Sequence, residues 1–326
     1  MAHPDIGRRL GGKYELIQLA GEGGMAEVFR AHTLGARGFR RSVAVKRILD
    51  HLSGDPNFVA MFVEEARVTA ALQHPNVVQI HDFDEDEDGC FFLVMEWIEG
   101  VNLADWQRAH EGLQDQSSWP LVMAIGIEML KGLSAAHENR NADGKRVPVF
   151  HRDVTPQNIL IGENGIVKLT DFGLARAMDR GRMTQPQIVK GKLSYLAPEL
   201  TMGADPSVQT DLFGVGIVLW ETLVGRKLFT GEGPVEVLGA VKEARVPPLA
   251  SLRPDTPKEL HALVHRALAK DPEERFPSAR AMVRAMSNLL RMTPQSTSAR
   301  VLSASVKKAR SELLVGSPAT PESMFP

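Results

Sequence analysis

The sequence predicts an α+β protein of two unequal lobes, a small antiparallel sheet followed by a larger, mainly helical part. Residues 14–100 contain short β-prone runs separated by glycines and charged clusters. From residue 101 onward, apolar residues recur at helical spacing. The chain has 326 residues and is 43% hydrophobic, so it is long enough for two lobes and apolar enough for sizeable cores.

In the first lobe, strands are predicted over residues 14–19, 27–32, 42–48, 77–83 and 91–96. One helix interrupts them over residues 57–72, where Phe58, Phe62, Glu65 and Leu72 fall at helical spacing. His74-Pro75-Asn76 ends this helix.

The second lobe is predicted to contain helices over residues 119–138, 211–224, 260–268 and 279–290. The segment 211–224 is apolar on nearly all sides, which favours burial at the centre of the lobe. The predicted organisation is a lead-in over residues 1–13, lobes over 14–98 and 99–291, and a tail over 292–326. The tail is rich in Ser, Thr, Pro and Ala and is predicted to be disordered, although residues 304–314 could form a short basic helix.

Composition narrows the class of protein. The net charge of −2 indicates no nucleic-acid partner. The single cysteine, Cys90, excludes an intrachain disulfide and favours a reducing cytosol, so we expect a cytoplasmic protein. No apolar leader follows Met1, and the longest apolar run, residues 212–220, is too short to span a bilayer.

The most informative segment is His151-Arg152-Asp153-Val154-Thr155-Pro156-Gln157-Asn158, followed by Asp171-Phe172-Gly173. Asp153 can accept a proton from a substrate hydroxyl, and Asn158 and Asp171 offer the oxygen ligands that Mg²⁺ prefers. Phosphoryl transfer requires little more from side chains, because its catalysis is mostly positioning and electrostatic stabilisation.

Two further motifs suit phosphate binding. A glycine-rich segment beginning at Gly21 lies between two predicted strands, which argues against a dinucleotide fold, where the glycines open a helix. Its backbone N–H groups could cover nucleotide phosphates; the alternative is an ordinary hairpin turn. Lys46 faces inward on a strand and therefore needs an anionic partner, unless it reaches solvent from an edge strand.

Together with Ala197-Pro198-Glu199, these motifs resemble those of the bacterial eukaryotic-type (Hanks-type) serine/threonine protein kinases. Five motifs occur in the same order as in that family, over roughly residues 10 to 290. The resemblance implies a bilobal protein-kinase fold with one regulatory helix. It also implies ATP and Mg²⁺ as cofactors, with Mn²⁺ as an alternative ion, and proteins as substrates. Similar bacterial kinases dimerise through the first lobe, but no residue set in this sequence demands a homodimer.

The resemblance assigns roles residue by residue. Asp153 is the base, Asn158 and Asp171 hold metal, and Lys46 pairs with Glu65, for which Glu64 is the rival. Asp211 would bond to the backbone of the catalytic loop, and Glu199 would pair with Arg275. The residues assigned to the nucleotide are Leu19 and Val28 above the adenine, Gly21, Glu22, Gly23 and Gly24 at the phosphates, Ala44, Lys46, Met95 as gatekeeper, Glu96 and Ile98 at the hinge, Leu160 below the adenine, and Asp171.

Two positions depart from the family pattern. Thr155 stands where the catalytic loop of serine/threonine kinases has lysine, and Lys192 stands where they have threonine before the Ala-Pro-Glu motif. We hypothesise that the two residues are exchanged, so that Lys192 supplies the missing positive charge. The alternative is that Lys192 is a solvent-exposed lysine of the substrate loop.

The resemblance also suggests regulation. Arg152 would bind a phosphate on the activation loop, and Thr184 is the candidate site of autophosphorylation. Two other functional classes remain: a pseudokinase that binds nucleotide as a scaffold, and a small-molecule phosphotransferase. Tyrosine specificity is less favoured, because the catalytic loop lacks the pattern of tyrosine kinases.

Overall fold

The structure, a computed structural model, describes residues 3–112, 118–172 and 193–316. The first lobe is built on an antiparallel sheet with strand order β1-β2-β3-β4-β6-β5. Its strands are β1 Arg9–Leu10, β2 Tyr14–Glu22, β3 Ala26–Leu34, β4 Arg40–Ile48, β5 Ile80–Glu85 and β6 Phe91–Glu96. The predicted antiparallel first lobe is confirmed. The fourth predicted strand begins three residues later than expected, because Val77 bridges to Leu169 of the second lobe instead.

Alternation along β4 separates two cores. Val43 and Val45 face one apolar cluster, whereas Ala44 faces another that lies towards the second lobe. Successive side chains of a strand point to opposite faces, so Lys46 emerges on the same side as Ala44. This placement directs the lysine towards the junction of the lobes.

Helix α1 covers Asp50–Ser53 and helix α2 covers Pro56–Ala70. The side chain of Asp55 caps α2 by accepting a hydrogen bond from Asn57 N at 2.9 Å, and Pro56 occupies the first turn, where its missing N–H is no loss. Phe62 and Ala66 pack with Ile48 and Leu93 of the sheet. The same face of the helix therefore carries Glu65 inward.

The second lobe is mainly helical. Its helices are α3 Leu103–Gly112, α4 Trp119–His137, α5 Val208–Val224, α6 Pro234–Glu243, α7 Leu249–Leu252, α8 Lys258–Ala267 and α9 Ala279–Leu290. Residues 210–223 of α5 are all buried, which confirms the predicted central helix. A capping box between Ser207 and Thr210 fixes the start of α5. Within the described ranges, only α4 is long and apolar enough to cross a membrane, and 61% of its apolar stretch is buried inside the protein.

A small second sheet joins the lobes. It consists of β7 Gly100–Asn102, β8 Ile159–Gly162 and β9 Val167–Leu169, all antiparallel. A Cβ atom at Gly100 would lie 2.0 Å from the carbonyl oxygen of Ile161, so only glycine permits this pairing. Strand β8 starts directly after Asn158, and β9 ends two residues before Asp171, so the sheet positions both of the predicted metal ligands.

The predicted disorder of the tail is wrong over residues 299–316. Ala299–Gly316 forms helix α10, which packs against α3, β7 and β8. Leu302, Val306 and Ala309 are buried at a spacing of four and three residues, the pattern of an amphipathic helix. The alternative prediction, a short helix over residues 304–314, falls within α10, which begins five residues earlier.

Candidate active site

Lys46 lies at the centre of a buried charged triad. Its Nζ donates to Glu65 Oε1 at 2.8 Å and to Asp171 Oδ1 at 2.9 Å. The three side chains are 2–6% exposed. Lys46 comes from the first lobe and Asp171 from the second, so the pair also joins the lobes. The choice of Glu65 over Glu64 is confirmed.

Two carboxylates share one cation in this triad, and the pKa of Glu65 differs from its ordinary value. Burial raises the pKa of Glu65 to about 7, since the attraction of Lys46 is offset by the negative charge of Asp171. Burial opposes the charged form of Lys46 as well, but the two carboxylates hold the pKa of the lysine above its ordinary value. The lysine is therefore positively charged at neutral pH.

The catalytic loop brings Asp153 and Asn158 together. Asn158 Nδ2 donates to the carbonyl oxygen of Asp153 at 2.8 Å and to its Oδ2 at 3.0 Å. Pro156–Asn158 forms one turn of 3₁₀ helix, and this turn folds the loop back so that the two side chains meet. The arrangement fixes the orientation of the Asp153 carboxylate.

Asp211, at the start of α5, anchors this loop. It accepts hydrogen bonds from the backbone N–H groups of His151 at 2.9 Å and Arg152 at 2.8 Å, and His137 Nε2 lies 2.7 Å from it. Burial alone would raise its pKa, but the bond with His137 and the backbone bonds hold the pKa of Asp211 below its usual range. The predicted role of Asp211 is confirmed, whereas His137 was missed by the sequence reasoning.

Two residues of the site adopt left-handed backbone conformations that are costly for any residue with a side chain. Arg152 has φ 67° and Asp171 has φ 61°. Such strain persists only where surrounding contacts impose it, and it is concentrated at functional sites. Here the Asp211 bond to Arg152 N and the Lys46 bond to Asp171 supply those contacts.

The donor set suits a hard divalent cation. Asn158 Oδ1 is buried and accepts no hydrogen bond from the described residues. Because buried polar atoms are normally paired, this oxygen is available to coordinate a cation. Asp171 supplies carboxylate oxygens from the adjacent segment, since Thr170 N donates to the Asn158 carbonyl oxygen at 3.1 Å. Asn158 and Asp171 could therefore hold Mg²⁺, which would neutralise phosphate charge when bound.

An apolar slot lies beside the triad. It is lined by Ala20, Val28, Ala44, Val78, Met95 and Leu160, with Trp97 and Ile98 packed against its edge. This slot brings together the residues predicted to enclose the adenine, except Leu19. That prediction is wrong: Leu19 pairs with Phe29 and packs in the other core of the sheet. Alternation places its neighbour Ala20 in the slot instead.

The glycine-rich turn and the hinge flank the slot. Gly21 pairs with Val28 and Glu22 with Glu27, so Gly23, Gly24 and Met25 form the turn of the hairpin between β2 and β3. At the hinge, Glu96 Oε1 accepts hydrogen bonds from Lys168 Nζ at 2.7 Å and from the backbone N–H of Gln79 at 2.8 Å. Lys168, on β9, carried no recognisable signal in the sequence.

The predicted pair of Glu199 and Arg275 is confirmed. Arg275 NH1 and NH2 donate to the two carboxylate oxygens of Glu199, each at 2.7 Å. Glu199 lies in the 3₁₀ segment Pro198–Met202, and Arg275 follows the segment Pro272–Glu274. This bidentate pair fixes the residues that follow the activation segment to the helical lobe.

Gly173, Thr184 and Lys192 lie outside the described residues, and the exchange hypothesis and the proposed autophosphorylation site stay predictions. Thr155 is described: it is buried, and its carbonyl oxygen accepts a hydrogen bond from Asn158 N at 3.1 Å. It therefore lies inside the catalytic loop, two residues after Asp153 and bonded through its backbone to Asn158.

The two lobes, the slot and the charged triad at their junction define a nucleotide-binding phosphotransferase architecture. Comparison with known proteins agrees: residues 14–286 match the protein kinase domain family. The chain belongs to this family.

Curated relatives are bacterial kinases. The chain is 40% identical over 279 residues to "Tyrosine-protein kinase MasK" of Myxococcus xanthus, an alignment that covers 86% of this chain and 43% of MasK. It is 33% identical to "Serine/threonine-protein kinase PrkC" of Bacillus subtilis, over 85% of this chain and 40% of PrkC. It is 36% identical to "Serine/threonine-protein kinase PknA" of Mycobacterium tuberculosis, over 84% of this chain and 61% of PknA. The matched part thus spans less than two thirds of each of these relatives.

Among solved structures, the kinase domain of Mycobacterium tuberculosis PknI superposes with a TM-score of 0.64 at 27% identity, covering 89% of this chain and 100% of that domain. The predicted fold class is therefore confirmed by an experimentally determined relative.

Proposed function

We propose that this chain is a serine/threonine protein kinase that transfers the γ-phosphoryl group of ATP to protein hydroxyl groups. The observation that carries the proposal is the junction of the two lobes, which holds the Lys46–Glu65–Asp171 triad and the Asp153–Asn158 pair. The two groups are joined through Thr170, whose N–H donates to the Asn158 carbonyl oxygen at 3.1 Å. The junction thus offers Lys46 to bind phosphate, oxygen atoms of Asn158 and Asp171 to hold a metal, and the Asp153 carboxylate to bind a hydroxyl group.

The residues have separate tasks in this reaction. Lys46 binds the α- and β-phosphates, and the apolar slot takes the adenine. Asp153 orients the substrate hydroxyl and accepts its proton, the hydroxyl oxygen bonds to the γ-phosphorus, and the bond from that phosphorus to the bridging oxygen breaks to release ADP. The hydrogen bond from Asn158 holds the Asp153 carboxylate in place.

The variant Asp153→Asn tests this assignment. It retains the shape and an oxygen acceptor for Asn158 but cannot accept the proton, so transfer from γ-labelled ATP should fall by about 10²- to 10⁴-fold. The dissociation constant of Mg-ADP, measured by calorimetry, should stay within about 3-fold of wild type. A wild-type chain that binds nucleotide without turnover would instead be a pseudokinase. Transfer to small molecules but not to a protein acceptor would indicate a small-molecule phosphotransferase.

Tyrosine is the second candidate acceptor, because the relative MasK bears the name of a tyrosine-protein kinase. PrkC and PknA, which are named serine/threonine kinases, favour the first. Phosphoamino-acid analysis of the labelled acceptor separates the two outcomes. Phosphotyrosine as the sole product would overturn the proposed acceptor class while leaving the kinase assignment in place.

Thr155 and Lys192 form a further part of the proposal. A cation near the transferring group would stabilise its negative charge, and Lys192 is proposed to supply it in place of the usual catalytic-loop lysine. Lys192→Met should then reduce turnover at saturating ATP by about 10²-fold or more, whereas Thr155→Ala should have a smaller effect. Near-wild-type turnover of Lys192→Met would end the exchange hypothesis.

Thr184 is the proposed site of activating autophosphorylation, with Arg152 as the residue that binds the added phosphate. Peptide mapping after incubation with ATP should find the phosphate on Thr184, and Thr184→Ala should lower activity. A fully active chain that carries no phosphate at this position contradicts the proposal.

A further inference from the structure

A series of charged contacts starts at the nucleotide slot and runs outward across the hinge. Arg30 lies on β3 two residues after Val28, so its side chain leaves the strand on the slot face. Its guanidinium carbon lies 5.2 Å from the centroid of the Trp97 ring, and its NH2 lies 3.4 Å from Glu99 Oε2. Trp97 Nε1 donates to the same Glu99 oxygen at 3.0 Å. Glu99, which directly follows the predicted hinge residue Ile98, is thus contacted by both Arg30 of β3 and Trp97.

Helix α10 reaches Glu99 from the other side. Arg310 NH2 lies 2.9 Å from Glu99 Oε1, and Arg310 NH1 is paired with Glu163 Oε1. Glu163 N also donates to the carbonyl oxygen of Glu99 at 2.7 Å. Arg310 therefore bridges the hinge and the turn between β8 and β9, two segments that are already joined through the backbone.

The docking of α10 is specific. The helix makes polar contacts in addition to its buried apolar stripe. Ser305 Oγ accepts a hydrogen bond from Trp106 Nε1 at 3.0 Å, and Ser303 Oγ donates to the carbonyl oxygen of Glu163. Gly165, at φ 78°, makes room for the start of the helix, since a Cβ atom there would lie 2.1 Å from the carbonyl oxygen of Ala299. The helix and the β8–β9 turn are matched in shape and in hydrogen bonds.

We propose that α10 braces the hinge from behind and that Arg310 is a positioning residue for nucleotide binding, acting through Glu99. The inference rests on the proposed function, because the ligand is the adenine nucleotide. A hinge held in its binding geometry before the ligand arrives loses less conformational freedom on binding, and affinity rises accordingly. The contacts through Trp97 and Arg30 carry the same restraint to the strand above the slot.

The expected size of the effect follows from exposure. The side chains of Arg310, Glu99 and Glu163 are 32–43% exposed, so solvent screens each ion pair. Loss of the Arg310 bridge should therefore weaken nucleotide binding by only about 2- to 5-fold. Release of the whole helix should weaken binding at least as much.

The first test compares Arg310→Gln with Lys307→Gln, which removes one positive charge from an exposed position of the same helix. Arg310→Gln should raise the dissociation constant of Mg-ADP and the KM for ATP by about 2- to 5-fold, with kcat unchanged. Lys307→Gln should leave all three within error. Arg310→Lys, which can pair with one carboxylate at a time, should give an intermediate dissociation constant. Equal dissociation constants for Arg310→Gln, Lys307→Gln and wild type would overturn the proposal.

The second test releases the helix without touching Arg310. Gly165→Asn places a side chain against Ala299. Gly144→Asn is the control: it introduces the same residue at φ 76° in a turn where no atom lies within 4 Å of the added Cβ. Asparagine tolerates this backbone region, so the two variants differ in the contact with α10. Gly165→Asn should speed amide hydrogen exchange over residues 299–314 and weaken Mg-ADP binding, and Gly144→Asn should do neither. Faster exchange with unchanged Mg-ADP affinity would overturn the brace.

The two proposals fail in different ways. A chain that binds Mg-ADP, with affinity set by Arg310, but transfers no phosphate to protein overturns the proposed kinase activity and supports the brace. A chain that phosphorylates protein with the same nucleotide affinity in all five variants overturns the brace and supports the kinase activity.

Discussion

Replacing Arg275 by methionine should destabilise the protein more than any change to a surface charge. Arg275 is fully buried, and each of its five N–H groups has an acceptor. Two go to Glu199; the others go to the carbonyl oxygens of Ala269 at 2.8 Å, Gln209 at 2.9 Å and Lys270 at 3.1 Å.

The loss in Arg275→Met has three parts. The Glu199 carboxylate, 12% exposed, is left without its cation, and three carbonyl oxygens lose their donor. The contact of the guanidinium with the Phe213 ring, 4.7 Å from its centroid, is lost as well. Removing one partner of a buried ion pair costs about 3–5 kcal/mol in the free energy of unfolding.

Urea unfolding followed by circular dichroism measures this cost. Arg280→Met is the matched control, because Arg280 pairs with Glu138 at a site where the side chains are 63% and 44% exposed, and its loss should cost less than about 1 kcal/mol. Introducing Glu199→Gln into wild type and into Arg275→Met completes a double-mutant cycle, which gives the coupling energy of the Glu199–Arg275 pair. If Arg275→Met and Arg280→Met unfold at the same urea concentration with equal slopes, the argument from burial is refuted.

Three further outcomes are expected. Lys46→Met removes the proposed phosphate-binding cation and leaves Glu65 and Asp171 buried without their partner. Phosphoryl transfer should therefore fall by about 10²-fold or more in a steady-state assay. Retained activity would exclude Lys46 as the phosphate-binding group. Because the pKa of Glu65 is raised from 4.5 to about 7, its contribution to the free energy of unfolding is complete below pH 4.5 and is lost as the pH rises through about 7. Glu65→Gln should therefore gain stability relative to wild type between about pH 5 and pH 8 in urea unfolding, and a constant difference would contradict the raised pKa. Ala20→Phe fills the slot and should abolish Mg-ADP binding measured by calorimetry, whereas Leu19→Phe, whose side chain faces the other core, should not.

The parts of the site that could be predicted from sequence are those set by local chemistry. A lysine on a strand predicts an anionic partner, and the carboxylate nineteen residues later on a helix provides it. The aspartate and asparagine of one loop are likewise close enough in sequence to be expected to meet, and they do. Leu19 was misassigned because a shift of one residue along a strand exchanges its two faces, and the glycine-rich segment does not define the register.

Other features depend on partners distant in sequence. Lys168 meets Glu96 across 72 residues, and His137 meets Asp211 across 74 residues. Helix α10 was foreseen only as an alternative to disorder, over residues 304–314, because its stripe of Leu302, Val306 and Ala309 is too narrow to stabilise a helix alone. Its helical conformation depends on packing against the back of the hinge, which a reading of local composition does not contain.

The triad also has a consequence for the state without nucleotide. Two buried carboxylates share Lys46, and burial together with the negative charge of Asp171 raises the pKa of Glu65. A bound nucleotide gives Lys46 phosphate oxygens, and a metal held with Asn158 would give Asp171 a cation of its own. Binding therefore relieves repulsion between Glu65 and Asp171. The pKa of Glu65 should fall when Mg-ADP binds, so the Mg-ADP affinity of wild type should increase from about pH 6 to pH 8 more than that of Glu65→Gln.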